Sequence, residues 1–341
     1  MSKWSIFGGI LPERIAPGIA CVVNKPLAGK LQTPYSQSTR CFAVHVRSGV
    51  AMAILGTRVF GGLMKIVQMA DAVRYPRMTT AELRETFLLQ GLFAPGSVTV
   101  NYVDLDRTVV GGAVPLGSAL TLDTHPELRS EYFCERREIG VLNVGGSGMV
   151  TVDGQKFALG KLDVAYAGRG SKVVTFESDD AENPAAFYLL SYPAHAEFPA
   201  KMVTFAELQG GAVHLGSVET CNKRSIYKAI HLDGIRSCQL VMGFTLLEAG
   251  SNWNTMPPHT HMRRSEVYFY FDVDASQRVM HLMGPADETR HLVMSDREVV
   301  VSPGWSIHAG VGTKSYGFCW GMGGENQRYD DMDPVAIAEL Q

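Results

Sequence analysis

The chain has 341 residues, 46% hydrophobic and 19% charged, with a formal net charge of −3. That is enough chain for one large or two ordinary domains, and the near-neutral balance offers no basic surface for nucleic acid or anionic lipid. No run of about 18 uninterrupted apolar residues occurs, which excludes a helical membrane span. The 35 glycines favour a turn-rich all-β architecture over a helix bundle. Six scattered cysteines with no CxxC pair fit a reduced, cytoplasmic protein rather than a disulfide scaffold.

Residues 1–63 differ from the rest. They hold seven basic side chains and one acid, Glu13, whereas the remainder holds 24 basic and 33 acidic. Gly8-Gly9, Pro12, Pro17 and Pro26 would interrupt any amphipathic targeting helix, and no continuous apolar region follows the positive start. The expectation for 1–63 is an extension outside the folded protein, either disordered or upstream of a true start at Met64.

Beyond Met64, Thr79-Thr80-Ala81-Glu82 is a capping box that opens a helix reaching about Gln90. The period then switches to 2. Ser97–Val103, Arg107–Val110, Ile139–Val144, Met149–Val152 and Lys156–Leu159 read as strands, and Asp153-Gly154 between the last two signals a type I′ hairpin. Gln239–Leu247, Val267–Val273, Val279–Met283 and Glu298–Ser302 read as strands of a second half. Many short strands with regular turns indicate a sandwich or barrel.

The halves resemble each other. Arg136–Val141 aligns with Arg263–Tyr268 when one insertion is allowed, which sets Glu138 on Glu266, and Tyr166–Lys172 falls on Ser302–His308. Each half is then expected to be one barrel of the same design. On this alignment Glu131, Phe133 and Lys172 take the places of His259, His261 and His308, so the first barrel is expected to be metal-free and to serve packing and assembly.

His259-Thr260-His261 sets two imidazoles at i, i+2, which on a strand share a face. Glu266 follows, and the chain returns at Pro303-Gly304-Trp305-Ser306-Ile307-His308. Three imidazoles and one carboxylate suit Zn²⁺, Fe²⁺, Mn²⁺ or Ni²⁺.

HxHx4E followed by PGxxxH is the cupin signature. From about Ile66 onward the chain closely resembles the bicupin family of 5-keto-4-deoxyuronate isomerases. The resemblance rests on Arg107–Pro115, Glu135–Gly146, Trp253–Phe271, Glu288–His291, Ser302–Thr313 and Trp320–Asp333. It implies an all-β fold of two cupin barrels (double-stranded β-helix, or jelly-roll) with a few short helices. The first barrel would span 64–200 without metal, and the second, metal-binding barrel 201–341. It also implies one zinc ion per subunit on His259, His261, Glu266 and His308, and a homo-oligomer, a hexamer in this family. The implied reaction is ketol isomerisation of a small-molecule keto-uronate in pectin breakdown, in the cytoplasm, with no nucleic-acid or membrane partner. The gap from Gly250 to His259, together with Pro258 and Ser265, departs from the usual motif without removing a ligand. Residues 1–63 have no counterpart in the family.

Glu325 is the first candidate for the base, with Glu288 and Tyr268 beside it. Arg263 is the candidate partner for the substrate carboxylate, ahead of Arg264 and Arg290, because an unbroken strand would put it on the face of His261. His281 and His291 flank a turn near the motif, and Trp253, Trp305 and Trp320 suit core or pocket walls. The same ligand set also admits a ferrous dioxygenase or a non-catalytic sugar-binding cupin.

Overall fold

Two sheets of seven strands, each facing a smaller sheet of four, make up the fold in the computed structural model, which describes residues 64–325, 327–328 and 331–341. The expectations for residues 1–63 lie outside the described residues. Among the described residues, no helix is long and apolar enough to cross a membrane.

The two halves repeat one topology. In the first, the large sheet runs in the order Lys65–Val67, Ser97–Val103, Thr108–Val114, Phe187–Pro193, Arg137–Asn143, Val164–Ala167 and Lys201–Val203, and the small sheet holds Leu120–Thr121, Val174–Ser178, Gly148–Val152 and Gln155–Leu159. In the second, the large sheet runs Val213–Leu215, Arg224–Ile230, Val241–Leu247, Gly317–Gly324, Arg264–Phe271, Val299–Ser302 and Leu88–Leu89. Its small sheet holds Trp253–Asn254, Ile307–Gly312, Val279–Gly284 and Arg290–Met294. The all-β expectation of two barrels with few short helices is met.

Local chemistry explains the elements. Thr79 Oγ1 accepts the Glu82 N–H at 3.3 Å while Glu82 Oε2 accepts the Thr79 N–H at 2.7 Å, completing the capping box of the helix Thr80–Phe87. The helix stops at Phe87, earlier than its sequence suggests, because Leu88 and Leu89 extend and pair with Val300 and Val299 of the second large sheet. Asp153 and Gly154 both adopt positive φ, 47° and 88°, as a type I′ turn requires. Gly111 and Gly112 end no strand. They continue Thr108–Val114, where a Cβ would collide with the Thr99 and Leu92 carbonyls, so these glycines serve close backbone packing rather than a turn.

Three buried clusters result. One fills the first barrel with Val150, Phe157, Val174, Phe176 and Phe187. A second lines the other barrel with Tyr268, Tyr270, Val279, Met283 and Phe318. The largest joins the two seven-stranded sheets face to face, where Tyr188 stacks on Phe269 with ring centroids 4.3 Å apart and planes inclined by 8°.

The internal alignment is off by one residue at Glu138. Ile139 and Val141 point into the first barrel, as Tyr268 and Tyr270 point into the second, so Glu138 faces the opposite side from Glu266. Its carboxylate accepts the backbone N–H groups of Cys238, Gln239 and Leu240 at 2.7, 2.8 and 2.7 Å and the Tyr166 hydroxyl at 2.7 Å, tying the halves together. A slip of one residue reverses every side chain on a strand, and this strand is buried on both faces, so no alternation fixes its phase. Lys172 likewise lies exposed before the strand Val174–Ser178 that corresponds to Ile307–Gly312.

Candidate metal centre

His259, His261, Glu266 and His308 converge in the second barrel, with one donor atom from each lying within 4.8 Å of the others. Glu266 stands in the large sheet, paired with Ser302 and Met322, while His308 stands in the small sheet opposite Met283. The site therefore spans the barrel interior. His259 sits on the two-residue strand His259–Thr260, held by Asp333–Pro334. The turn before His308 lies against the His261 segment, because Gly304 has no side chain: a Cβ there would approach His261 O and Met262 Cα at 3.0 Å. Trp305 fills the far side of that turn, edge-on to Tyr75 at 5.2 Å and to Phe87 at 6.4 Å.

Glu266 Oε2 lies 3.0 Å from His261 Nε2 and 2.8 Å from His308 Nε2, and His308 Nε2 lies 3.0 Å from His259 Nε2. His261 Nδ1 is 2.8 Å from the Arg264 carbonyl, which fixes the ring so that Nε2 faces the cluster. Burial and the nearby His308 pull His259 down to about 3. Burial also opposes charge on His261, but the Glu266 hydrogen bond and charge outweigh it and raise the imidazole. At Glu266 burial pushes upward, yet the neighbouring His308 and the His261 bond hold the carboxyl well below its ordinary range. The set thus presents a neutral imidazole at His259 beside an ionised carboxylate.

These residues fit a metal ion. Two imidazole nitrogens 3.0 Å apart share at most one proton between them, and a cation at their focus satisfies both lone pairs. Donors bound at 2.0–2.1 Å in a tetrahedron stand about 3.3 Å apart, close to the spacings seen.

The cluster opens onto a cavity of about 330 Å³. Besides His259 and Glu266, its polar walls include Arg224, Lys228, Thr245, Thr255, Arg264 and Tyr268, with Trp320 and Phe318 as aromatic faces. Burial keeps the Tyr268 phenol well above its usual range, and its oxygen lies 2.8 Å from Thr255 Oγ1.

Other residues singled out in the sequence lie elsewhere. Met262-Arg263 forms a turn that breaks the strand assumed from His261, so the register restarts and it is Arg264 that shares the face of Glu266 and lines the cavity. The half-exposed Arg263 guanidinium donates to the Asp331 carbonyl at 3.1 Å. Glu325 is exposed on a separate cavity with His195, Cys238 and Gln327. Glu288 and His291 are exposed, Arg290 and His291 flank another surface cavity, and buried His281 has Nδ1 2.8 Å from the Tyr270 hydroxyl. Arg224 and Lys228 escaped notice because the strand Arg224–Ile230 did; its two cations four apart, on one face of a strand, were the available signal.

Residues 93–337 match the model of the KduI/IolB family. The chain belongs to the KduI/IolB family. All four cluster residues and the cavity walls lie inside the match. A protein of Caldicellulosiruptor bescii named 4-deoxy-L-threo-5-hexosulose-uronate ketol-isomerase is 49% identical over 79% of this chain and 96% of its own length. One of the same name from Opitutus terrae is 46% identical over 82% of this chain and all of its own. Among solved structures, an IolB-like protein of Salmonella typhimurium LT2 covers 73% of this chain and 97% of its own with a TM-score of 0.59 at 14% identity, a likeness of fold.

Proposed function

We propose that this protein is a zinc-dependent ketol-isomerase that interconverts 5-dehydro-4-deoxy-D-glucuronate and 3-deoxy-D-glycero-2,5-hexodiulosonate in polyuronate breakdown. The observation that carries this reading is the 49% identity to the Caldicellulosiruptor bescii protein, over nearly all of its length, whose name is that of a ketol-isomerase of 4-deoxy-L-threo-5-hexosulose-uronate. The convergent His/Glu cluster at the base of a cavity supports it.

The isomerisation moves a carbonyl to the adjacent carbon: the hydrogen on the hydroxyl-bearing carbon, carried as a proton by a base or shifted directly as a hydride, ends on the former carbonyl carbon, and the hydroxyl proton passes to the former carbonyl oxygen, with no atom gained or lost. His259, His261, Glu266 and His308 would hold one Zn²⁺ per chain. When bound, the ion supplies Lewis-acid polarisation of the carbonyl and neighbouring hydroxyl oxygens. The chain supplies the rest. His261 and His308, each 1% exposed, keep bulk water from the base of the cavity. Tyr268 holds its phenolic proton across neutral pH and, with Thr255, offers a hydroxyl pair to the substrate's own hydroxyls. The first barrel, its interior filled by Phe176, Phe187 and valines, serves packing and assembly into a homo-oligomer, a hexamer by the sequence resemblance.

The test is to incubate the full chain, loaded with Zn²⁺, with 4-deoxy-5-ketouronate under argon and follow the carbon spectrum by NMR. Replacement of the aldehyde end by a hydroxymethyl ketone, without oxygen, is the expected result. No conversion, or conversion only with oxygen uptake, would overturn the reading.

A further inference from the structure

A keto-uronate carries its reacting carbons at one end and its carboxylate at the other. The cavity must therefore receive an anion away from the His/Glu cluster. Among the described residues Glu266 is the one acidic residue on its walls, against three cations: Arg224, Lys228 and Arg264.

Arg264 is sealed in. Its side chain is 1% exposed; Nη2 is engaged by Asp331, and Nε and Nη1, though without a partner, are buried with almost no surface offered to the cavity. The other two cations sit on the strand Arg224–Ile230, which alternates from Arg224 to Ala229 before its register shifts at Ile230. Arg224, Ile226 and Lys228 line the cavity, while Tyr227 and Ala229 pack into the cluster between the two large sheets. Among the described residues the Arg224 fork makes one hydrogen bond, Nη1 to the Asn222 carbonyl at 2.9 Å. Its ionisable neighbours are the phenols of Tyr268 and Tyr316 inside the barrel, both kept protonated and neutral by burial, not carboxylates. A half-buried guanidinium with donors to spare, in a cavity wall, is built to receive a planar anion: two parallel N–H donors match two carboxylate oxygens, which a lysine ammonium cannot do.

We propose that Arg224 binds the substrate's carboxylate and sets the preference for a uronate over an uncharged sugar, with Lys228 adding a second charge on the same face. This rests on the isomerase reading for the identity of the substrate, but binding alone can test it.

Trp320 lines the same cavity, so its fluorescence reports occupancy. The probes are D-glucuronate and its neutral twin D-glucuronamide, titrated into the zinc-loaded full chain and into Arg224→Met, Arg224→Lys and Lys228→Met, each checked for unchanged zinc content and circular dichroism. The wild type should prefer the acid. Arg224→Met should lose most of the preference for the acid and raise KM for 4-deoxy-5-ketouronate on the order of tenfold to a hundredfold, with kcat changed far less. Arg224→Lys should fall between, and Lys228→Met should weaken the preference without abolishing it. Retention of the wild-type preference and KM in Arg224→Met would overturn the assignment, as would a wild type indifferent to the charge. If the wild type shows no turnover yet loses its acid preference in Arg224→Met, the anion site stands and the isomerase reading falls. If turnover is normal and KM unmoved, the reverse holds.

Discussion

His308 Nε2 lies 2.8 Å from Glu266 Oε2, although the two side chains come from opposite sheets of the second barrel. That contact closes the cluster across the barrel interior. It makes Glu266 the group on which all the other donors depend, since it is the one negative charge among three imidazoles.

Glu266→Gln should therefore weaken zinc binding on the order of a hundredfold or more, as measured by competition with a chromophoric chelator. The amide keeps the shape but removes the charge and turns N–H groups toward the imidazoles. Wild-type affinity in this variant would mean that the carboxylate does not hold the ion.

Glu138 is predicted to matter for stability and not for the metal. Replacing it by alanine leaves the buried N–H groups of Cys238, Gln239 and Leu240 without their acceptor, at about 1–3 kcal/mol for each group that water cannot reach. Denaturant unfolding should show a loss of several kcal/mol, while zinc affinity in the surviving folded protein stays within twofold or so of wild type.

The first helix should loosen in acid. The Thr79 backbone N–H and hydroxyl hold the Glu82 carboxyl below its ordinary 4.5. A carboxyl depressed on folding stabilises the folded form above its unfolded pKa, and that contribution disappears as pH falls through the folded value. Protection of the amides of Thr80–Phe87, corrected for the intrinsic pH dependence of exchange, should fall below about pH 4.5, and Glu82→Gln should abolish that fall. Unchanged protection across pH 3–6 in the wild type would count against the cap.

Gly243→Ala should damage the cavity from behind. A Cβ at Gly243 would stand 2.5 Å from the Trp320 ring and crowd the Tyr227 carbonyl. The backbone cannot yield, so the ring must shift toward the cavity it lines, at a cost of about 1–3 kcal/mol. The expected outcome is a raised KM with altered Trp320 fluorescence at unchanged zinc content; unaltered kinetics would show that the wall has slack.

Much of this was readable beforehand, for specific reasons. The capping box at Thr79 and the Asp153-Gly154 hairpin are local signals whose geometry a few residues determine. The four cluster residues announce themselves by their spacing in the sequence, and the structure brings them within 4.8 Å although His261 lies just past the strand His259–Thr260. Phase was harder. Arg137–Asn143 is buried throughout, so nothing in its pattern tells Glu138 from a barrel-facing residue, and tertiary contacts with 238–240 decide. Arg263 and Arg264 exchange faces because a turn at Met262-Arg263 resets the strand, a feature that no adjacent glycine or proline marks. Arg224 belongs to a strand whose role appears only when the barrel closes around it.

The central claim is that one divalent ion on His259, His261, Glu266 and His308 is required for turnover. The direct measurement is to strip the full chain with a chelator and titrate Zn²⁺ back while following isomerisation of 4-deoxy-5-ketouronate. Turnover absent at the start, rising linearly and breaking sharply at about one equivalent per chain, is the predicted course. Full turnover by the stripped protein, or none when the four ligands are saturated, would contradict it.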